Sequence, residues 1–142
     1  MKLAEYRKIT KKKHKYGAVK VEIDGIKFDS KAEAQAFFAL KAEIGNGSGG
    51  RRALVRNHTA VMLPGDIRLQ PDFAEVETGK VYCPKVVGWH EYKGMETPAY
   101  RMKKKLYKAL DGLPPLYVWR YHGKRLILVE VVRHGISFQW NR

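Results

Sequence analysis

The sequence predicts an α/β (α+β) fold in which a mixed β-sheet is flanked by helices. Three observations carry that expectation. Residues 30–44 and 97–111 repeat apolar side chains at helical spacing. Short β-rich segments punctuated by Gly and Pro fill residues 53–90, and a closing hairpin pattern occupies 116–132. The resulting order (hairpin, helix, strands, helix, strands) suits one layered domain.

The elements follow from local chemistry. Residues 1–15 form a basic, flexible N-terminal arm, and 16–142 form the single domain. Lys2, Arg7, Lys8, Lys11, Lys12, Lys13, Lys15 and Lys20 face only Glu5 in the first twenty residues, a like-charge block that repels itself. Val19 to Phe28 alternates around Asp24-Gly25, a dipeptide suited to a tight hairpin turn. Ser30 caps a helix whose stripe is Phe37, Leu40 and Ile44, and the run from Gly45 to Gly50 ends it. Strands are expected at Ala53–Val55, Thr59–Leu63, Ile67–Leu69, Phe73–Val76 and Val86–His90, with turns at Pro64-Gly65 and Thr78-Gly79. Thr97 and Pro98 open a second helix that ends near Asp111-Gly112, and Pro114-Pro115 forbids its continuation. Leu116–Tyr121 and Arg125–Val132 close the fold as a hairpin around Gly123.

Composition narrows the function. At 142 residues, the chain has room for one compact domain, and 44% hydrophobic content argues against disorder. Lys and Arg outnumber Asp and Glu 28 to 14, a formal charge of +14 that favours a polyanionic partner. Nucleic acid comes first. An anionic membrane is disfavoured because neither helix couples a basic face to large exposed apolar residues. Cys83 stands alone, which suits a reducing cytoplasm, and it has no histidine at zinc-ligand spacing. No Walker loop or Cys/His finger is present, and no organic cofactor is expected.

Three stretches carry chemistry. Pro71-Asp72-Phe73 and Glu91-Tyr92-Lys93-Gly94, read as neighbouring strands, bring Asp72, Glu91 and Lys93 toward one point, because alternate residues of a strand share a face. Val87 and Trp89 share that alternation, so the face is expected to begin buried and end with charges at its rim. Two or three carboxylates suffice for Mg²⁺, which takes oxygen ligands and keeps several waters. Lys93 then stands where it would stabilise the charge developing on a phosphate. A plain surface ion pair is the competing reading of Glu91 and Lys93. Glu33 is a third acid with two compatible readings. Ser30-x-x-Glu33 is a capping box, yet Glu33 also lies in phase with Phe37, Leu40 and Ile44 on the apolar face, where a capping glutamate need not point and a third metal-site glutamate would.

The second helix sorts its side chains. Met102, Leu106 and Leu110, with Ala109, form the expected core stripe. Arg101, Lys104, Lys105 and Lys108 form a cationic row with no acid between Pro98 and Ala109, a track for phosphates that Arg51, Arg52 and Arg56 extend. The aromatics Trp89, Tyr92, Tyr107, Trp119 and Trp140 are read as core rather than as a stacking platform, and no histidine is nominated as a general base.

With Glu33, Pro71-Asp72-Phe73 and Glu91-Tyr92-Lys93-Gly94 in place, the chain resembles the PD-(D/E)XK nuclease superfamily. More narrowly, it resembles small bacteriophage proteins related to endonuclease I-type Holliday-junction resolvases. The shared pattern runs through Gly25–Ala34, Asp72-Phe73, Glu91–Gly94 and Thr97–Leu106, and spans residues 16 to 132. The resemblance implies a restriction-endonuclease-like αβββαβ core and dependence on Mg²⁺ or Mn²⁺. It implies metal ligation by Asp72 and Glu91, Lys93 beside the attacking water, and Glu33 as an accessory acid. It also implies a homodimer. The expected function is a metal-dependent DNA endonuclease selective for branched DNA. The alternatives are a nuclease of linear duplex or single strands, and a non-catalytic basic DNA-binding protein.

Overall fold

A computed structural model describes residues 19–79 and 85–139, the last four by backbone alone. The basic arm, Cys83 and Trp140 lie outside the described residues. The chain divides into two compact units, with the boundary inside a helix between Ala34 and Gln35.

The first unit holds a two-stranded hairpin, β1 (Val21–Ile23) and β2 (Ile26–Phe28). Asp24 and Gly25 both take positive φ, 53° and 76°, the twist that a two-residue turn between antiparallel strands requires. Ser30 then caps α1 (Lys31–Gly47), its Oγ accepting from the Glu33 amide at 3.1 Å. The helix continues into the second unit.

The glycine run does not stop α1 at Gly45. The helix continues through Gly47 and closes when the Gly50 amide donates to the Gly45 carbonyl at 3.0 Å. Gly49 and Gly50 adopt the left-handed conformation there, so the terminator is the pair that can take positive φ without strain.

The second unit is built on a six-stranded mixed sheet. Its strands are β3 (Arg52–Arg56), β6 (Phe73–Glu77), β7 (Val86–Tyr92), β8 (Leu116–His122), β9 (Arg125–Arg133) and β10 (Ile136–Gln139), in the order β10-β9-β8-β7-β6-β3. β7 and β8 run parallel, and the other neighbours are antiparallel. A separate hairpin, β4 (Val61–Leu63) and β5 (Ile67–Leu69), turns through Gly65 and Asp66. The second helix, α2 (Pro98–Ala109), starts where expected, with Thr97 Oγ1 accepting from the Tyr100 amide. β10 was not anticipated: Gly135 (φ 72°) turns the chain back onto β9.

One face of the sheet packs Ala74, Trp89, Leu116, Val118 and Val132 with Tyr107 of α2 and with Leu63 and Leu69. On the opposite face Phe73 meets Phe37 of α1, ring centroids 5.2 Å apart. β7 lies in the middle of the sheet and is buried along most of its length, so anything polar on it must find a partner inside the protein. No helix among the described residues is long and apolar enough to cross a membrane.

Candidate functional site

Strand directions decide which side chains share an end of the sheet. β6 runs against β7 with Phe73 opposite His90, so the start of β6 and the end of β7 coincide. Asp72, immediately before β6, therefore falls beside Glu91 and Tyr92. The Tyr92 amide donates to Asp72 Oδ2 at 2.8 Å, fixing the carboxylate to the neighbouring strand.

Around it the predicted residues assemble. Lys93 Nζ lies 2.7 Å from Glu91 Oε1. Glu91 is only 3% exposed, so the charged end of this face begins deeper than the rim expected for it. Burial, reinforced by the charge of Glu91, pushes the Asp72 carboxyl up to about 7, against the opposing influence of the Tyr92 amide, Lys93 and Arg56. Two carboxylates pressed together in a desolvated spot cost stability unless a cation or a proton sits between them. The Lys93 ammonium also stands 4.6 Å from the centroid of the Tyr100 ring, which cradles it. Burial raises the Tyr100 hydroxyl well above its usual range, and the charges of Glu91, Glu96, Asp72 and Glu130 add to that shift.

Sequence reasoning missed Asn57, and it read Arg56 as part of the phosphate track rather than as a support for Asp72. Asn57 is 5% exposed; its Nδ2 donates to the carbonyls of Pro71 (2.8 Å) and Thr59 (2.7 Å), while its Oδ1 accepts from the Thr59 amide. Arg56 Nη1 donates to the Asp72 carbonyl at 3.2 Å. An Asx turn just past a strand was the available signal.

The opposite face carries a second polar cluster. Trp119 Nε1 donates to His90 Nδ1 at 3.0 Å, and His90 Nε2 meets Glu75 Oε2 at 2.8 Å. Arg52 Nη1 closes the chain on Glu75 Oε1 at 3.1 Å. The hydrogen bond from His90 holds the Glu75 carboxyl below the usual range despite its burial, with Arg52 assisting. Gly88 makes the space: a Cβ there would stand 3.2 Å from Glu75 Oε2 and 3.1 Å from the Tyr117 ring. With both ring nitrogens engaged, His90 is a structural link.

Two sequence expectations change. Lys104 does not face outward with Arg101, Lys105 and Lys108. It is 8% exposed, in phase with buried Tyr100 and Tyr107, and its ammonium is held by Glu96 and Glu130. Met102, expected in the core stripe, is 49% exposed instead. Arg51 and Arg52 stand at the start of β3, roughly 13 Å of strand from Arg56 and from the acid pair. With Leu40, Ile44, Glu77 and Trp119 they line a cleft of about 760 Å³ that includes neither Asp72 nor Glu91.

Glu33 is 5% exposed in the first turn of α1, and its amide makes the capping hydrogen bond to Ser30. Among the described residues, no group of three or more His, Cys, Asp or Glu side chains is placed to hold a metal ion together. What the fold gathers is a pair of carboxylates with one amine. An oxygen-only pair fits Mg²⁺, which completes its shell with water, and does not fit zinc.

No curated protein and no solved structure matches the chain. Residues 13–86, just over half of its length and including Glu33, Asn57 and Asp72, match the family described as "Protein of unknown function (DUF1064)". The chain belongs to that family.

Proposed function

We propose that the protein is a metal-dependent DNA endonuclease of the PD-(D/E)XK type, acting on branched DNA as a homodimer with one site per protomer. The carrying observation is the trio at the end of the sheet: an Asp72 carboxyl pushed up to about 7, the buried Glu91 beside it, and Lys93 2.7 Å from Glu91. An acid pair turned toward a polyanion weakens binding unless a cation intervenes, and the Lys93–Glu91 ion pair accounts for only one of the two acids.

Asp72 and Glu91 would hold Mg²⁺ or Mn²⁺. When bound, such an ion neutralises phosphate charge and acidifies water. Lys93, steadied over Tyr100, supplies positive charge beside the scissile phosphate. Arg56 and Asn57 fix the backbone from which Asp72 projects.

The test is cleavage of a four-way junction in Mg²⁺ by wild type, Asp72→Ala and Lys93→Ala. Both variants are expected to lose cutting and keep binding. Undiminished cutting by either removes that residue from the reaction. The net charge alone would also suit a binding-only protein, which leaves the acid pair without a purpose. Mg²⁺ raises DNA affinity only under the nuclease reading.

A further inference from the structure

The end of the sheet that carries the acids also carries an aromatic and cationic tip to which no role has been given. β8 runs parallel to β7 and outlasts it: the last paired residues are Tyr92 and Trp119, and the Lys93 amide donates to the Trp119 carbonyl at 2.9 Å. From Arg120 the β8–β9 hairpin projects past the end of β7. Its tip, His122 to Arg125, is exposed, and the sequence from Tyr117 to Val129 holds no acid. Arg120 anchors the base of the tip, its Nε donating to the Lys93 carbonyl at 3.2 Å.

Tyr92 and Tyr121 stand where the tip leaves the sheet. Their ring centroids are 5.9 Å apart at 57°, and both side chains are half-buried. A Cβ on Gly94 would stand 3.9 Å from the Tyr92 hydroxyl, so the chain leaves this end uncrowded just after Lys93. Tyr92 and Glu91 are adjacent on one strand and project to opposite faces. A phosphate at the acid pair and a base at the tyrosines would thus belong to neighbouring pieces of one strand drawn across the sheet's end. A base can reach that far face only if it has left its stack.

We infer that the β8–β9 tip is a second DNA-contacting element. Lys124 and Arg125 hold phosphates there, and Tyr92 and Tyr121 receive an unstacked base beside the cleavage position. This rests on the nuclease reading for its location and deepens it, because it makes an unpaired position the selected feature of the substrate. Aromatic stacking suits the task, since every base has a π-face and no sequence need be read.

The experiment measures binding of the full chain, in Ca²⁺, to a four-way junction bearing 2-aminopurine at the branch and to a linear duplex of equal length. Tyr121→Leu is expected to weaken junction binding about ten-fold, to leave duplex binding within about two-fold, and to remove the 2-aminopurine quench. Tyr121→Phe keeps the ring and is expected to behave as wild type. Lys124→Ala should lower the salt slope on both substrates by about one. Junction binding unchanged in Tyr121→Leu, or weakened equally on both DNAs, overturns the inference, as does a Phe variant that behaves like Leu. A wild type that cuts nothing yet shows the ring-dependent preference sinks the nuclease reading alone. Cutting combined with ring-independent binding sinks this one alone.

Discussion

Trp119 donates its indole N–H to His90 Nδ1 at 3.0 Å, and this one contact fixes the protonation of the imidazole. An indole nitrogen can only donate, so Nδ1 accepts and the ring proton sits on Nε2, facing Glu75. Nitrogen NMR at neutral pH should therefore show His90 with a bare Nδ1 and a protonated Nε2. The opposite tautomer would contradict the network.

Glu75 makes the same cluster sensitive to acid. Its folded carboxyl titrates below a glutamate's ordinary value of 4.5, so its stabilisation is complete above that value and is lost as pH falls through the folded one. Glu75→Gln should cost about 1–3 kcal/mol in urea unfolding at pH 7, because charged hydrogen bonds to His90 and Arg52 are weakened. The difference from wild type should narrow below about pH 4. A gap that stays constant with pH would show that the charge is immaterial.

The sign reverses at Asp72. Its carboxyl is raised from 3.8 to about 7, so between those values the folded chain carries a proton that the unfolded chain lacks. Stability without metal accordingly falls as pH rises from 4 to 7, then levels off. Asp72→Asn should melt above wild type at pH 8 in EDTA, with the gain gone by pH 4. Mg²⁺ must displace that proton, so its thermal shift should be larger at pH 8 than at pH 6 and absent in the variant. A Mg²⁺ shift that ignores pH, or survives in Asp72→Asn, counts against the acid pair as its site.

Lys104 and Lys105 are neighbours with opposite fates. Lys104→Ala leaves Glu96 and Glu130 facing each other in a largely buried spot and should destabilise by about 3–5 kcal/mol. It should not change the salt slope of DNA binding. Lys105→Ala should do the reverse, lowering the slope by about one at little cost in stability. Equal slopes for the two variants would refute the assignment of α2's outer face.

Asn57→Ala tests the scaffold of the site. Losing the bonds to Pro71 and Thr59 should cost about 1–3 kcal/mol. Junction cutting should fall while DNA affinity holds, because the Asn57 side chain holds the Pro71 carbonyl just before Asp72, while the backbone bond from the Asn57 amide to the Asp72 carbonyl survives the substitution. Cutting at the wild-type rate would mean that the Asp72 position needs no such support.

What the residues disclosed in advance, and what they concealed, follows from how local each signal is. Asp24-Gly25 and Thr97-Pro98 announce a turn and a helix start by their own backbone chemistry, and both stand where expected. The acids and Lys93 were legible because strand alternation is a short-range rule. Lys104 was not: its partners lie eight and 26 residues away, and a lysine in a cationic row reads as exposed until those acids are located. Glu75 and His90 needed the β6–β7 register, and Arg51 and Arg52 needed the direction of β3. The end of α1 was misplaced because a glycine's cost inside a helix, about 1 kcal/mol, is not by itself a stop.

The β6–β7 connection leaves the sheet at the end opposite Asp72, where the Glu77 amide donates to the Lys85 carbonyl at 3.0 Å. Five residues of extended strand, roughly 17 Å, separate that corner from the acid pair. A dye or an affinity handle grafted at exposed Gly79 or Lys85 therefore gives a grip from behind. Tethered to a surface there, the protein would keep the Asp72 end of the sheet open to a long polymer in solution.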